Sequence, residues 1–133
     1  METEIEKKQK ETVFLIDDDD FLLDMYALKF KTVGFNVDIA HGGEEAFTKL
    51  KEGLKPDIIL LDILMQKIDG FEFLEMLKKE NMLDEHLIII LSNRGQKEDI
   101  ERGKKLGVAD YIVKASFTPS EVVEKVKEVL GRN

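Results

Sequence analysis

The sequence predicts an α/β protein: a (βα)5 doubly wound, parallel five-stranded sheet with helices on both faces. Three observations predict it. Short apolar runs recur between residues 13 and 113, each followed by a helical pattern. Several of these runs are continuous rather than alternating, as expected of parallel strands buried on both faces. A chain of 133 residues suits one domain with one core.

Residues 1–11 alternate charges around one apolar residue, Ile5, and read as a frayed tail or an extra helical turn. The first strand is VFLI (13–16). In the first helix Leu22, Tyr26, Phe30 and Val33 follow at steps of four, four and three, which is one helix face, and Gly34 stops it. The strand FNVDIA (35–40) precedes a helical pattern over 43–52, and DIILLD (57–62) precedes one over 70–80. LIIIL (87–91) and ADYIV (109–113) are the last strands, with helices over 96–106 and 119–130. The final helix sets Val122, Val126 and Val129 on one face, with Thr118 as N-cap and Pro119 at the first helical position. The domain thus spans 12–130, and 131–133 form a short tail. Right-handed crossovers turn five such units into one parallel sheet.

Composition removes several function classes. Hydrophobic residues make up 43% and charged residues 36%, as in a soluble globular domain. The net charge of −8 argues against nucleic acid as a direct partner, since phosphate backbones demand clustered Lys and Arg. No apolar run approaches a membrane span, and the N-terminus lacks the apolar core of a signal peptide. The absence of cysteine excludes disulfides and thiolate metal sites and agrees with the cytoplasm.

In a doubly wound sheet the working site lies at the C-terminal ends of the strands. The first strand ends in Asp17 and Asp18, the third in Asp62, the fourth at Ser92, and the fifth runs into Lys114. Carboxylates crowded at one edge are tolerable around a hard cation, and an oxygen-only donor set suits Mg²⁺. The run DDDD also suits a helix N-terminus, and Asp19 or Asp20 is assigned there as a cap. An EF-hand is excluded, because no glycine follows at the sixth loop position. Taken singly, Asp62 reads equally as a strand-end polar residue and Lys114 as a solvated lysine. Tyr111 is expected to be half-buried. His41 and His86 read as surface or loop residues away from strand C-termini. Met25, Met65, Met76 and Met82 read as core or gap-filling residues.

Order and spacing make the set specific. The pair in LIDDDD, the segment PDIILLDILMQKIDGFEFL around Asp62, Ser92 after LIIIL, Tyr111 in ADYIVK, and Lys114 stand in sequence. With these motifs the chain from Thr12 to Leu130 resembles a response-regulator receiver domain of two-component signalling, of the stand-alone, chemotaxis type. The resemblance implies the flavodoxin-like strand order 2-1-3-4-5. It implies that Asp62 accepts a phosphoryl group from a histidine kinase or phosphotransfer protein. Asp18 would bind Mg²⁺ directly, Asp17 partly through water, and the Leu64 backbone carbonyl would be a further ligand. Lys114 and Ser92 would hold phosphoryl oxygens, and Ser92 with Tyr111 would switch the face made by the fourth helix, fifth strand and fifth helix.

The first helix carries a second apolar line, Phe21, Met25 and Leu28, which is either a partner surface or is buried under the last helix. The resemblance points to the kinase's helical hairpin as the partner. Three positions depart from the family pattern. Gln66 stands where a proline is usual, Asn93 where Ala or Gly is usual, and Ala115 where a proline often follows the lysine across a cis bond. A cis bond without proline costs about 2.5–4 kcal/mol, so a trans Lys114–Ala115 bond is expected.

The last helix ends near Leu130, which leaves no room for an output domain, so the expected output is a protein contact, by a monomer or transient dimer. Three rivals remain. One is a receiver-fold docking module that is never phosphorylated. Another is a Mg²⁺-dependent phosphohydrolase, opposed by Leu64 where a second carboxylate is needed. The third is a flavodoxin-type flavin protein, whose phosphate the aspartates would repel.

Overall fold

The computed structural model describes residues 10–131, so most of the tail assigned to 1–11, and the end of that assigned to 131–133, lie outside the described residues. The strands are β1 (Thr12–Ile16), β2 (Asn36–Ala40), β3 (Ile58–Leu61), β4 (Ile88–Ser92) and β5 (Asp110–Val113). The helices are α1 (Asp20–Thr32), α2 (Gly43–Lys51), α3 (Gly70–Lys79), α4 (Lys97–Lys105) and α5 (Pro119–Val129), with short 3-10 turns at Leu83–Glu85 and Lys114–Ser116. Every pair of neighbouring strands is parallel, in the order β2-β1-β3-β4-β5. The predicted fold class and strand order hold.

Alternation along the central strands splits the core into two layers. Phe14, Ile16, Ile59, Leu61, Ile88 and Ile90 face α2 and α3, where they meet Ala46, Leu50, Phe71 and Leu74. Val13, Leu15, Ile58, Leu60, Ile89 and Leu91 face α1 and α5 and meet Leu23, Phe30, Val122 and Val126. β3 and β4 are buried along their whole length, which explains why their sequences are unbroken apolar runs.

The inward face of α1 differs from the predicted one. Leu23, Tyr26 and Phe30 are buried, whereas Leu22 is only half-buried and Val33 is 38% exposed. Leu22 precedes the buried line by one residue, and Val33 is already the C-cap, beyond the last turn that faces the sheet. Gly34 then takes φ +103°, a conformation that ends the helix at little cost only for glycine. In α5 the buried residues are Val122, Val123 and Val126, with Val129 on the rim. Thr118 caps α5 as predicted, and the reciprocal Glu121 bond completes a capping box.

α4 is built differently. Its buried residues are Asp99 and Gly103, with no large apolar side chain among them. Gly103 brings the helix backbone close to Ile90 and Val108, where a Cβ would already be tight at 3.2 Å. Asp99 bonds back to the Gln96 N–H at 3.2 Å, and Arg102 stacks over the Phe71 ring of α3 at 4.4 Å. This helix is held by polar ties and close approach more than by apolar burial.

Candidate functional site

Backbone hydrogen bonds of the sheet deliver the acidic residues to one edge. The Asp17 N–H donates to the Ala40 carbonyl at 3.2 Å, and the Asp62 N–H to the Ile16 carbonyl at 3.0 Å. These bonds continue the β1–β2 and β1–β3 ladders by one residue, so both carboxylates emerge at the same height.

The four aspartates of the run separate into four tasks. Asp17 is 7% exposed; one oxygen accepts the Asp19 N–H at 2.9 Å and the other accepts from Lys114 at 2.8 Å. Asp18 is exposed, and its Oδ2 accepts the Gln66 N–H at 2.9 Å. Asp19 is the N-cap of α1 and accepts the Leu22 N–H at 3.1 Å. Asp20 sits in the first helical turn and meets His41 Nδ1 at 2.8 Å. His41 directly follows β2, so it does stand at a strand's C-terminal end, contrary to expectation. His86, in contrast, lies in the loop before β4, with Nδ1 buried and without a partner among the described residues.

Asp62 is 7% exposed. One of its oxygens accepts the Leu64 N–H at 3.2 Å and the other lies 3.4 Å from the Lys114 ammonium. Lys114 therefore lies between two buried carboxylates, with its own side chain 9% exposed. Burial raises the Asp62 pKa above its ordinary value; Lys114 opposes this and the Asp17 charge reinforces it. For Lys114, burial alone would lower the pKa, but the hydrogen bond to Asp17 and the two carboxylate charges outweigh it and raise it. Ser92 is fully buried at the end of β4, and its hydroxyl accepts the Arg94 N–H at 3.2 Å. The Lys114–Ala115 bond is trans, as expected: no cis peptide occurs among the described residues.

One oxygen each from Asp17, Asp18 and Asp62 can be chosen so that all three lie within 4.8 Å of one another. Three carboxylates at that spacing, two of them buried, form an oxygen-only donor set that fits a hard divalent cation such as Mg²⁺. Behind Asp62, α3 begins with Gly70, where a Cβ would stand 2.5 Å from the Asp62 carbonyl oxygen.

A family model described as the response regulator receiver domain matches residues 13–127. This chain belongs to the response regulator receiver family. The receiver is 32% identical over 129 residues to a probable transcriptional regulator ycf27 of Guillardia theta, covering 97% of this chain and 49% of that protein. It is also 32% identical over 121 residues to the alkaline phosphatase synthesis transcriptional regulatory protein PhoP of Bacillus subtilis, covering 91% and 49%. The receiver spans about half the length of these curated relatives. Among solved structures, chemotaxis protein CheY4 of Vibrio cholerae superposes with a TM-score of 0.82 at 25% identity, covering 91% of this chain and 99% of that one. The Francisella response regulator 1452 receiver domain gives a TM-score of 0.81 at 29% identity, covering 92% and 98%. Receivers of two-component systems are the class to which this geometry belongs.

Tyr111 is half-buried against the α2–α3 layer, and its hydroxyl donates to the Arg94 carbonyl. Phe21 is 77% exposed and Leu28 68% exposed, whereas Met25 between them packs partly on the core. Burial of this line under α5 is therefore excluded for its two ends. Leu64, beside Asp62, is also exposed, at 52%. Met65 and Met82 pack at the core margin, in agreement with their expected role.

Sequence reasoning passed over Asp99, whose carboxylate is buried and holds Arg94 Nε at 3.0 Å. Its signal was the Gln96-x-x-Asp99 spacing of a capping box. The Gln66 amide was also missed, because a backbone donor leaves no residue-type signal.

Proposed function

We propose that this receiver is a phosphorylation-dependent switch whose Asp62 takes a phosphoryl group from a histidine kinase or a phosphotransfer protein in the cytoplasm. The observation that carries this is the Lys114 ammonium between Asp17 and Asp62, at 2.8 and 3.4 Å, in the strand-end cluster. Asp17, Asp18, Asp62 and the Leu64 backbone carbonyl would hold Mg²⁺, which supplies charge neutralisation for the phosphoryl oxygens.

One Asp62 oxygen forms the new P–O bond as the P–N bond of a phosphohistidine breaks. The electron pair returns to the imidazole, which keeps or regains its proton from solvent. Lys114 meets charge on the phosphoryl oxygens as it develops, and the Ser92 hydroxyl donates to one of them. The Ser92 hydroxyl accepts the Arg94 N–H and can keep that bond while it donates, so its movement toward phosphate would draw on Arg94 and, through the Arg94 carbonyl, on Tyr111. The switch thus runs from β4 to the α4–β5–α5 face. Exposed Phe21 and Leu28 on α1 support docking of the kinase's helical hairpin beside the acidic cluster.

Acetyl phosphate with Mg²⁺ should add one phosphoryl group to the intact mass, as a base-labile acyl phosphate. Asp62→Asn should abolish the addition. A wild type that stays unmodified under conditions that label other receivers overturns the proposal and favours a docking module.

A further inference from the structure

Asp18 is the exposed member of the acidic trio. It borders an open groove of about 380 Å³ whose walls include His41, Glu44, Lys67 and Ile68. An aspartate beside open space samples several rotamers unless a bond selects one. Here the bond comes from the Gln66 backbone N–H, 2.9 Å from Asp18 Oδ2 and 48 residues away in sequence.

Gln66 lies in a short strap between β3 and α3. The Met65 N–H bonds the Ile63 carbonyl at 3.0 Å, and the Ile68 N–H bonds the Gln66 carbonyl at 2.8 Å. Lys67, between the last two, has φ +68°. An i→i+2 bond around a positive-φ residue is the rarer, strained form of the γ-turn. Such a turn persists only where its surroundings hold it. The Gln66–Asp18 bond is one of those restraints, so the strap and the carboxylate fix each other.

We propose that the Gln66 backbone N–H is a positioning group for the divalent cation: it holds the Asp18 carboxylate within the trio and couples the strap to the ion. The inference rests on the reading that Asp17, Asp18 and Asp62 hold Mg²⁺. A carboxylate has enough lone-pair sites to accept an N–H and ligate a cation together. Hydrogen bonds to ligating carboxylates orient them, and their loss lowers metal affinity about 10–100-fold. By linkage, the ion must tighten the strap as much as the strap tightens the ion. A proline at this position would have no N–H to give. This chain therefore has a restraint that a proline would remove.

The test is an NMR titration of the full chain with MgCl₂, following amides of the acidic cluster. Gln66→Pro removes the donor and should weaken Mg²⁺ binding about tenfold or more. Gln66→Ala keeps the donor and should bind like the wild type. Unchanged affinity in Gln66→Pro, or an equal loss in Gln66→Ala, overturns the assignment to the backbone N–H. A second measurement does not depend on a proline or on metal. The Gln66 amide proton of the metal-free protein should resonate downfield and exchange slowly, and Asp18→Ala should abolish both. An amide insensitive to Asp18→Ala also overturns the inference. A wild type that takes up no Mg²⁺ overturns it together with the metal reading, whereas failure of the Gln66 variants alone leaves that reading intact.

Discussion

Tyr111 donates its hydroxyl proton to the backbone carbonyl of Arg94, which ties β5 to the loop after β4. The same Arg94 gives its N–H to Ser92 and its guanidinium to Asp99. Burial, with the nearby Asp99 charge, pushes the Tyr111 pKa up to about 12, so the hydroxyl stays a donor at any working pH. Tyr111→Phe should therefore cost about 1 kcal/mol, the net worth of one hydrogen bond. Urea unfolding measures it, and hydrogen exchange at Arg94 and Gly95 should accelerate in parallel. Unchanged exchange would mean that the bond does not restrain the loop.

Lys114 compensates two carboxylates that are themselves buried. Removing one partner of a buried ion pair leaves charge without compensation and typically costs about 3–5 kcal/mol. Lys114→Ala should lose that much at pH 7 in the absence of metal. The loss should shrink in acid, where the stranded carboxylates take up protons. Equal destabilisation at pH 7 and pH 4.5 would assign the effect to packing of the lysine stem.

Asp62 has a raised pKa, so the folded chain binds its proton more tightly than the unfolded one. That contribution to stability is present at low pH and is lost as pH rises above the ordinary value of 3.8 and through the folded value. Asp62→Asn should remove this decline and stabilise the metal-free protein at pH 7 relative to the wild type. Mg²⁺ should raise the melting temperature of the wild type, with about 2.7 kcal/mol expected at a concentration 100 times Kd. It should do less for Asp62→Asn. Identical melting curves with chelator and with millimolar Mg²⁺ would contradict both the strain and its relief.

His86 gives a slope of the opposite sign. Burial lowers its pKa below the ordinary 6.5, only partly offset by Glu85, and its buried Nδ1 has no partner among the described residues. Stability should fall as pH drops below 6.5 and the unfolded chain captures the proton first. His86→Gln should flatten the difference between urea midpoints at pH 7.5 and 5.5. If the variant keeps the wild-type slope, another group titrates.

Much of this was legible because the physics is local and periodic. Unbroken runs such as IILL in β3 read as strands buried on both faces, and five apolar runs with helical patterns between them predict the sheet. Asp17, Asp62, Ser92 and Lys114 were legible because a strand end is a position in sequence as well as in space. The inward face of α1 was misjudged because Leu22 and Leu23 are adjacent, and one step of 100° decides which is buried. The strand over 35–40 was predicted to its correct end, so the strand-end position of His41 was legible and was passed over. Pairings over long separations, such as Gln66 with Asp18, have no local signature at all.

Gly70 stands behind the acidic cluster with nothing to contribute chemically. Any side chain there would collide with the Asp62 carbonyl oxygen at 2.5 Å and with the Ile63 backbone at 2.8 Å. Both obstacles are main chain, so no neighbouring rotamer can yield. In a mutational scan, residue 70 should thus be intolerant of every substitution, although it carries no side chain. The two positions are thus bound in one direction: Asp62 can be replaced with the glycine kept, but a side chain at residue 70 would displace the main chain that carries the Asp62 carboxylate.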